Sequence, residues 1–191
     1  ISDDGTLPGF EELENPQSNL ASRVYSSDGV EIGKYFKQNR TNAKYHELSH
    51  WLVEALVATE DSRYYEHSGV DARALGRAIY GQLVGDDDGG ASTISQQLAK
   101  NLFNTAEKGK TVAKSKMERL WQKFGENIIG VRLEKNYTKE EIITMYFNTF
   151  DFNNNAVGIN SAAFIYFGKT PIELDLHEAA MLVGMAKNPS L

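Results

Sequence analysis

The amino-acid sequence predicts a mainly α fold. Apolar residues recur at helical spacing from residue 49 onward, and three later segments open with a Ser/Thr/Asp-x-x-Glu/Gln pattern, which is typical of a capped helix start. No series of apolar strands alternates with helices, which argues against a doubly wound sheet. At 191 residues, 41% hydrophobic and 24% charged, the chain is expected to fold as one ordinary globular domain.

The N-terminal part is the least regular. Residues 1–20 carry two prolines and five acidic residues without a helical or strand period, so they are predicted to be a linker that precedes a domain over residues 21–191. Residues 22–36 alternate around Ser27-Asp28-Gly29, which predicts a short hairpin. Because the sequence begins with Ile and lacks a signal peptide, we expect an N-terminal membrane anchor to have been removed.

Helix boundaries follow from capping residues. A helix over residues 50–59 is predicted after a serine N-cap, and one over residues 160–167 is predicted to stop at Gly168. Three further helices should begin where a Thr or Asp is followed three residues later by Gln or Glu. The four N-terminal signals are Ser49, Thr93, Thr138 and Asp175.

Charge and composition exclude some classes of protein. A net charge of -6 argues against a general nucleic-acid binder, because phosphate-backbone affinity normally needs a basic surface. The absence of cysteine excludes disulfides and thiolate metal sites. No apolar run approaches the roughly 18 to 20 residues that cross a bilayer, so the chain as given is predicted to be soluble.

Glu60 is the first candidate catalytic residue. It lies three residues beyond Val57 and therefore on the apolar face of the first helix. Burial there would raise its proton affinity toward that of a general base. The alternative is a helix-terminal glutamate that pairs with Arg63 or Arg73.

Residues 89–101 place a glycine pair before a helix start rich in hydroxyl groups. Free backbone N–H groups and the positive end of the helix dipole make such a start a candidate anion site. Thr93, Gln96 and Lys100 share one face and could run along a diphosphate and a sugar. The alternative is an ordinary capped, solvated helix start.

A basic segment follows. Residues 108–123 carry six basic residues and one acid, a local charge of 6 minus 1, or +5, and apolar residues at helical spacing run through it to Phe124. This predicts a basic amphipathic helix that lies on an anionic membrane, or alternatively a surface helix packed on the core.

Three other polar features carry weaker predictions. Lys123 and Glu126, three residues apart, could act on one ligand or form an ion pair. The acidic triplet at residues 86–88 is interpreted as a solvated turn rather than a metal site. His67 is predicted to be a hydrogen-bonded structural residue, because no second His or Cys lies at metal-ligand spacing.

Together these segments resemble the peptidoglycan glycosyltransferase domain of class A penicillin-binding proteins and their monofunctional relatives. Residues 60–69 are similar to that family's first motif, Glu-Asp-x-x-Phe-x-x-His-x-Gly, with Tyr64 at the aromatic position. Residues 89–101 are similar to its second, Gly-Gly-(x)-Ser-Thr-Ile-x-Gln-Gln-Leu-x-Lys-Asn. The third, basic-Lys-x-Lys-Glu, is matched in part, since Gln122 and Gly125 stand where the family carries basic residues. Residues 133–148 and 158–169 resemble the fourth and fifth.

The resemblance implies a lysozyme-like fold with a larger head lobe and a smaller membrane-contacting lobe. It also implies that lipid II, the lipid-linked disaccharide-peptide, is polymerised into glycan strands with inversion and release of the lipid diphosphate. Glu60 would be the general base and Glu126 the second catalytic carboxylate. The implied substrate-binding residues are Asp61, Arg63, Arg77, Ser92, Thr93, Gln96, Gln97, Lys100, Asn101 and Lys123.

The resemblance also implies partners and a location. The partners would be lipid II, the growing lipid-linked glycan, the outer (periplasmic) face of the cytoplasmic membrane and a cell-wall synthesis complex, with no nucleic acid among them. A divalent cation, Mg²⁺ or Mn²⁺, is compatible with the diphosphate, although no dedicated metal cage is visible. The whole protein could carry a transpeptidase domain that this sequence does not contain.

Two other functions compete with this one. A lysozyme-like hydrolase on the same class of substrate would use its carboxylate as an acid, but hydrolysis has no need of a diphosphate site. A noncatalytic domain that binds lipid diphosphates is favoured only by Gln122 and Gly125.

Overall fold

A computed structural model describes residues 22–29, 31–35, 42–84, 90, 92–106 and 116–187. Helices dominate these ranges, which confirms the mainly α prediction. Three 3₁₀ turns, at Tyr45–Glu47, Tyr64–Glu66 and Pro171–Glu173, connect longer elements. Those elements are β1 (Ser22–Tyr25), β2 (Glu31–Tyr35), α1 (His50–Glu60), α2 (Ala72–Val84), α3 (Ile94–Ala106), α4 (Lys116–Asn136), α5 (Lys139–Thr149), α6 (Ile159–Phe167) and α7 (Leu176–Lys187).

The predicted capping residues start the helices. The Ser49 hydroxyl accepts a hydrogen bond from the Leu52 N–H (3.3 Å) at the start of α1. At the start of α3 the Thr93 N–H donates to Gln96 Oε1 (3.1 Å) and the Gln96 N–H donates to Thr93 Oγ1 (3.3 Å), a reciprocal capping box. The same arrangement precedes α5 and α7. Gly168, in the left-handed conformation at φ 66°, ends α6. These local predictions are confirmed.

The two strands pair antiparallel, with Ser22 opposite Tyr35 and an irregular register between Val24 and Tyr25. In the connecting turn the Gly29 N–H donates to the Ser26 carbonyl (2.9 Å). The predicted linker at residues 1–20 and the acidic triplet at residues 86–88 lie outside the described residues.

The described residues fall into two compact units. The first, Leu56–Tyr146, contains every candidate site residue. Most of its large buried side chains come from α1, α3, α4 and α5, and Tyr64 adds one from a 3₁₀ turn; those from the helices include Leu56, Ile94, Leu98, Ile129, Leu133, Ile142, Ile143 and Tyr146. Among the helices that the structure describes, none is both long enough and apolar enough to cross a membrane.

A buried polar cluster stabilises the first unit. Glu134 accepts hydrogen bonds from Ser95 Oγ (2.6 Å) and Lys139 Nζ (2.8 Å). Lys139 Nζ also donates to the His67 carbonyl (2.8 Å) and lies 4.1 Å above the centre of the Tyr64 ring. Burial, and then the charge of Glu134, raise the pKa of Tyr64 far above its usual range, so its hydroxyl stays protonated and donates to the Lys139 carbonyl (3.0 Å).

The second unit consists of the described residues up to Ala55 together with those from Phe147 onward. The Asn148 side chain pairs with both backbone groups of Ala43 (2.9 Å each), and so fixes the segment before α1. Residues 153–155, three consecutive asparagines, adopt positive φ angles of 64°, 49° and 62° in a tight turn. Asparagine is among the few residues that accept this conformation readily.

Candidate active site

An open cavity of about 480 Å³ lies in the first unit, at the end of α1 and the starts of α2 and α3. Among the described residues, six charged ones line it, three acids and three arginines. Five predicted site residues besides Glu60 line it as well: Asp61, Arg63, Arg77, Ser92 and Thr93. The charged lining residues are Glu60, Asp61, Asp71, Arg63, Arg73 and Arg77.

Glu60 is the last residue of α1, one position beyond the predicted end of that helix. Its Oε2 accepts a hydrogen bond from Gln97 Nε2 (2.6 Å), whereas its Oε1 is buried and has no hydrogen-bond partner among the described residues. Arg63 pairs with Asp71 rather than with Glu60, so the alternative interpretation of Glu60 as a partner of Arg63 is wrong. One carboxylate oxygen is therefore held by the protein, and the other accepts nothing from it.

The Gln97 amide has a second hydrogen-bond partner. Tyr146, fully buried at the end of the first unit, donates its hydroxyl to Gln97 Oε1 (3.2 Å). Burial, and then the charge of Glu60, raise the pKa of Tyr146 above its usual range. The hydroxyl therefore keeps its proton, and a chain of hydrogen bonds runs from Tyr146 through Gln97 to Glu60.

The Asp61 carboxylate caps the start of α3. Its Oδ2 accepts a hydrogen bond from the Ile94 N–H (3.2 Å), and both of its oxygens lie 3.0 Å from His67 Nε2. The capping box uses the N–H groups of Thr93 and Gln96 as well. The prediction that free N–H groups here form an open anion site is wrong for these three, because the protein's own side chains satisfy them. His67 is hydrogen-bonded, as predicted.

Thr93 lines the cavity, and Gln96 pairs with it at the start of α3. Their side chains are buried, at 1% and 4% exposure, and the Thr93 hydroxyl donates to the Gly69 carbonyl (2.7 Å). Gly69 has φ +92°, and a Cβ on it would lie 2.8 Å from the backbone of Gly130 in α4. The first motif therefore needs glycine here. Direct substrate contacts by Asp61, Thr93 and Gln96 stay predictions.

Asp71 and Arg73 also line the cavity, although neither was predicted from the sequence to be a substrate-binding residue. Asp71 Oδ1 accepts hydrogen bonds from the backbone N–H groups of Arg73 (2.9 Å) and Ala74 (3.1 Å), which caps α2, and from the Arg63 guanidinium. Burial acts to raise the pKa of Asp71, but these hydrogen bonds outweigh it and hold the pKa below its usual value. Arg73 and Arg77, one turn apart and exposed, could have been recognised as a cationic pair from their spacing.

Lys123 connects Ser92 to the second predicted carboxylate. Its Nζ donates to Ser92 Oγ (2.8 Å) and lies 3.1 Å from Glu126 Oε2. Lys123 and Glu126 thus form the ion pair that was one of two predictions for them. Gly125 lies between them on α4 with nothing within 4 Å of the position of a Cβ.

Other predicted residues do not meet at this cavity. Gln96, Lys100 and Asn101 are not among its lining residues, and Lys100 is exposed on α3. The predicted membrane helix over residues 108–124 lies mostly outside the described side chains, which resume at Lys123. Phe124, the next residue, is 57% exposed.

A cluster in the second unit has the composition of a metal site. Ligand atoms of Asp175, His177 and Glu178 lie within 4.8 Å of one another. Lys169 Nζ, however, lies 2.7 Å from both oxygens of Glu178 and 3.8 Å from Asp175. An ammonium group therefore already pairs with the two carboxylates of this cluster.

Comparison with known proteins agrees with the motifs. A family model described as Transglycosylase matches residues 28–191. Penicillin-binding protein 1A of Neisseria lactamica is 40% identical over 185 residues, which cover 96% of this chain and 22% of that protein. The proteins of the same name from Neisseria gonorrhoeae and Escherichia coli K12 are 39% and 37% identical over 185 residues. The chain spans about a fifth of the length of these relatives.

Proposed function

Because the chain belongs to the transglycosylase family, we propose that it is a peptidoglycan glycosyltransferase that polymerises lipid II into glycan strands. The observation that carries this proposal is the placement of Glu60 at the cavity, with Oε2 bound by Gln97 and Oε1 unused. A carboxylate held in this way can accept a proton without losing its orientation.

The proposed reaction is the one that the family implies, with Glu60 as its base. Glu60 takes the proton of the acceptor sugar's 4-hydroxyl as that oxygen attacks the anomeric carbon of the donor glycan. The new carbon–oxygen bond forms while the bond to the lipid diphosphate breaks, and the anomeric configuration inverts. The proton ends on Glu60, and the electron pair leaves with the diphosphate.

The leaving diphosphate gains negative charge, so cations around it lower the barrier. Arg77 and Arg73 supply exposed guanidinium groups on one wall of the cavity. Lys123 Nζ donates to Ser92, which also lines the cavity, and forms an ion pair with Glu126. We assign these cations, together with Lys100 and Asn101 farther along α3, to binding of the diphosphate and its sugars. We assign Glu126 the role of the second catalytic carboxylate.

We propose that any divalent cation would be bound by the substrate rather than by the protein. The cavity carboxylates are committed: Glu60 to Gln97, Asp61 to His67 and the backbone of α3, and Asp71 to Arg63 and the backbone of α2. They do not fit a cage for a metal ion, so any Mg²⁺ or Mn²⁺ would be held by diphosphate oxygens. No step of the reaction is assigned to it.

The finer features of the fold and the setting belong to the same proposal. They are a lysozyme-like head lobe, a smaller lobe that contacts the membrane, action at the outer face of the cytoplasmic membrane, and membership of a cell-wall synthesis complex. The similarity to penicillin-binding protein 1A supports them, as does the greater length of those relatives, which could include a transpeptidase domain.

Replacing Glu60 with Gln tests the proposal. The amide keeps the shape of the carboxylate but cannot take the 4-hydroxyl proton, so turnover should fall by about 10²- to 10⁴-fold while substrate binding persists. Polymer formed from labelled lipid II and binding of the same substrate are measured together, with thermal melting as a check on folding. Lys100→Ala, the control, should weaken binding as well as turnover.

Three outcomes would contradict the proposal. Near-native turnover by Glu60→Gln would exclude Glu60 as the base and make Glu126 the leading candidate. Shortened glycan products from the wild-type protein would indicate a hydrolase. Unchanged lipid II would indicate a noncatalytic binding domain.

A further inference from the structure

We propose that Tyr146 is a positioning residue for this reaction, which acts on Glu60 through the side-chain amide of Gln97. The inference rests on the proposed function. It concerns a tyrosine in the segment that resembles the fourth family motif, whose residues were assigned no chemistry from the sequence.

The argument begins with the two orientations of an amide. In the orientation present, Gln97 Nε2 donates to Glu60 Oε2 at 2.6 Å and Gln97 Oε1 accepts from the Tyr146 hydroxyl at 3.2 Å. In the flipped orientation, the Gln97 oxygen would face the Glu60 carboxylate, and two acceptors would meet without a proton between them. A donor that is hydrogen-bonded to Gln97 Oε1 therefore favours the orientation in which Gln97 Nε2 donates to Glu60.

Burial makes this preference strong. Tyr146 is fully buried, and its hydroxyl keeps its proton because burial and the nearby carboxylate oppose ionisation. Without that hydroxyl, the part-buried Gln97 Oε1 would face an apolar ring, and an acceptor that loses its donor there is destabilised. The amide would then turn toward other donors, and Glu60 would lose the contact that holds Oε2.

The consequence for the reaction is a fixed orientation of the Glu60 carboxylate. With Oε2 held by Gln97, the carboxylate keeps one orientation at the cavity, where it takes the proton of the acceptor sugar. In this argument Tyr146 acts on Glu60 through Gln97 and not on the substrate, so its loss should lower turnover more than substrate affinity.

Tyr146→Phe is the direct test, with Tyr64→Phe as its matched control. Both tyrosines are fully buried and both substitutions remove a hydroxyl group that donates a hydrogen bond, but the Tyr64 hydroxyl donates to the Lys139 carbonyl instead of to Gln97. Phenylalanine is also the residue that the first family motif carries at position 64. Tyr146→Phe should lower kcat about 3- to 10-fold with little change in KM, whereas Tyr64→Phe should keep kcat near wild type.

A double-mutant cycle tests whether the effect passes through Gln97. If it does, Tyr146→Phe will not lower kcat further in a Gln97→Leu background. Effects of the two substitutions that multiply, or an equal loss of kcat in Tyr64→Phe, would overturn the inference while the proposed function stands. A wild-type protein that forms no polymer would overturn both.

A second probe covers the case in which Tyr146→Phe does not fold. Incorporation of 3-fluorotyrosine at position 146 keeps the ring and the hydroxyl but makes the hydroxyl a stronger donor. We expect 3-fluorotyrosine to change kcat in the wild-type background and to leave kcat unchanged in the Gln97→Leu background. If 3-fluorotyrosine changes kcat in neither background, the inference is refuted.

Discussion

Replacing Gly69 with Ala should be among the most damaging single methyl additions in the first unit. At φ +92° an alanine is strained by about 1–2 kcal/mol, since the Cβ then crowds its own backbone. The same Cβ would lie 2.8 Å from backbone atoms of Gly130 and Val131, and forced overpacking of this kind costs about 1–3 kcal/mol more. The free energy of unfolding should therefore fall by about 2–5 kcal/mol.

For a chain of this size, that loss corresponds to a melting temperature lower by about 4–20 °C. Thermal melting followed by circular dichroism measures it directly. Gly125→Ala is the matched control, because the same methyl group meets open space within α4 and should stabilise the protein by about 0.5–1 kcal/mol. A Gly69→Ala protein that melts with the wild type would refute the close approach of Gly69 to α4.

Three further predictions concern charge. Gly125→Lys should preserve or raise polymer formation, because it adds a cation where the family carries one and its Cβ has room; a folded but inactive variant would mean that position 125 is not part of the diphosphate site. Asp71→Asn should keep the cap of α2 but lose the ion pair with Arg63. Because the pKa of Asp71 is lowered on folding, its stabilisation is full above an unfolded value of about 3.9 and is lost as the pH falls through the folded pKa. The difference between variant and wild type in urea midpoint should thus be present at neutral pH and vanish in strong acid, and a constant difference would contradict this. Residues 108–124 should bind anionic vesicles in flotation assays, and reversal of the charges of Lys114, Arg119 and Lys123 should abolish binding; binding that survives the reversal would exclude an interfacial helix.

The features that could be predicted from the sequence depend on short-range rules. The capping boxes join residues three positions apart, so the starts of α3, α5 and α7 followed directly from the sequence. The position of Glu60 on the apolar face likewise needed only the period of one helix. The motifs then led to the family, because their length and order are specific.

Contacts across longer stretches of chain could not be predicted in this way. Glu60 and Gln97 lie 37 residues apart, Gln97 and Tyr146 lie 49 apart, and nothing local to any of them signals the contact. The prediction of a free backbone N–H group at Ile94 failed for a similar reason. Asp61 comes from 33 residues earlier in the chain and takes the N–H group that the helix start alone leaves free.

The two kinds of polar group in the site should respond differently to ionic strength. The hydrogen bonds of Asp61 and of the Gln97 amide are buried or part-buried, and dissolved ions screen such interactions weakly. Arg73, Arg77 and Lys100 are exposed, and the attraction proposed between them and a diphosphate is screened over a Debye length of about 8 Å at physiological ionic strength. Added salt should therefore raise KM while the hydrogen bonds that orient Glu60 persist, and any fall in kcat would come from weaker stabilisation of the leaving diphosphate.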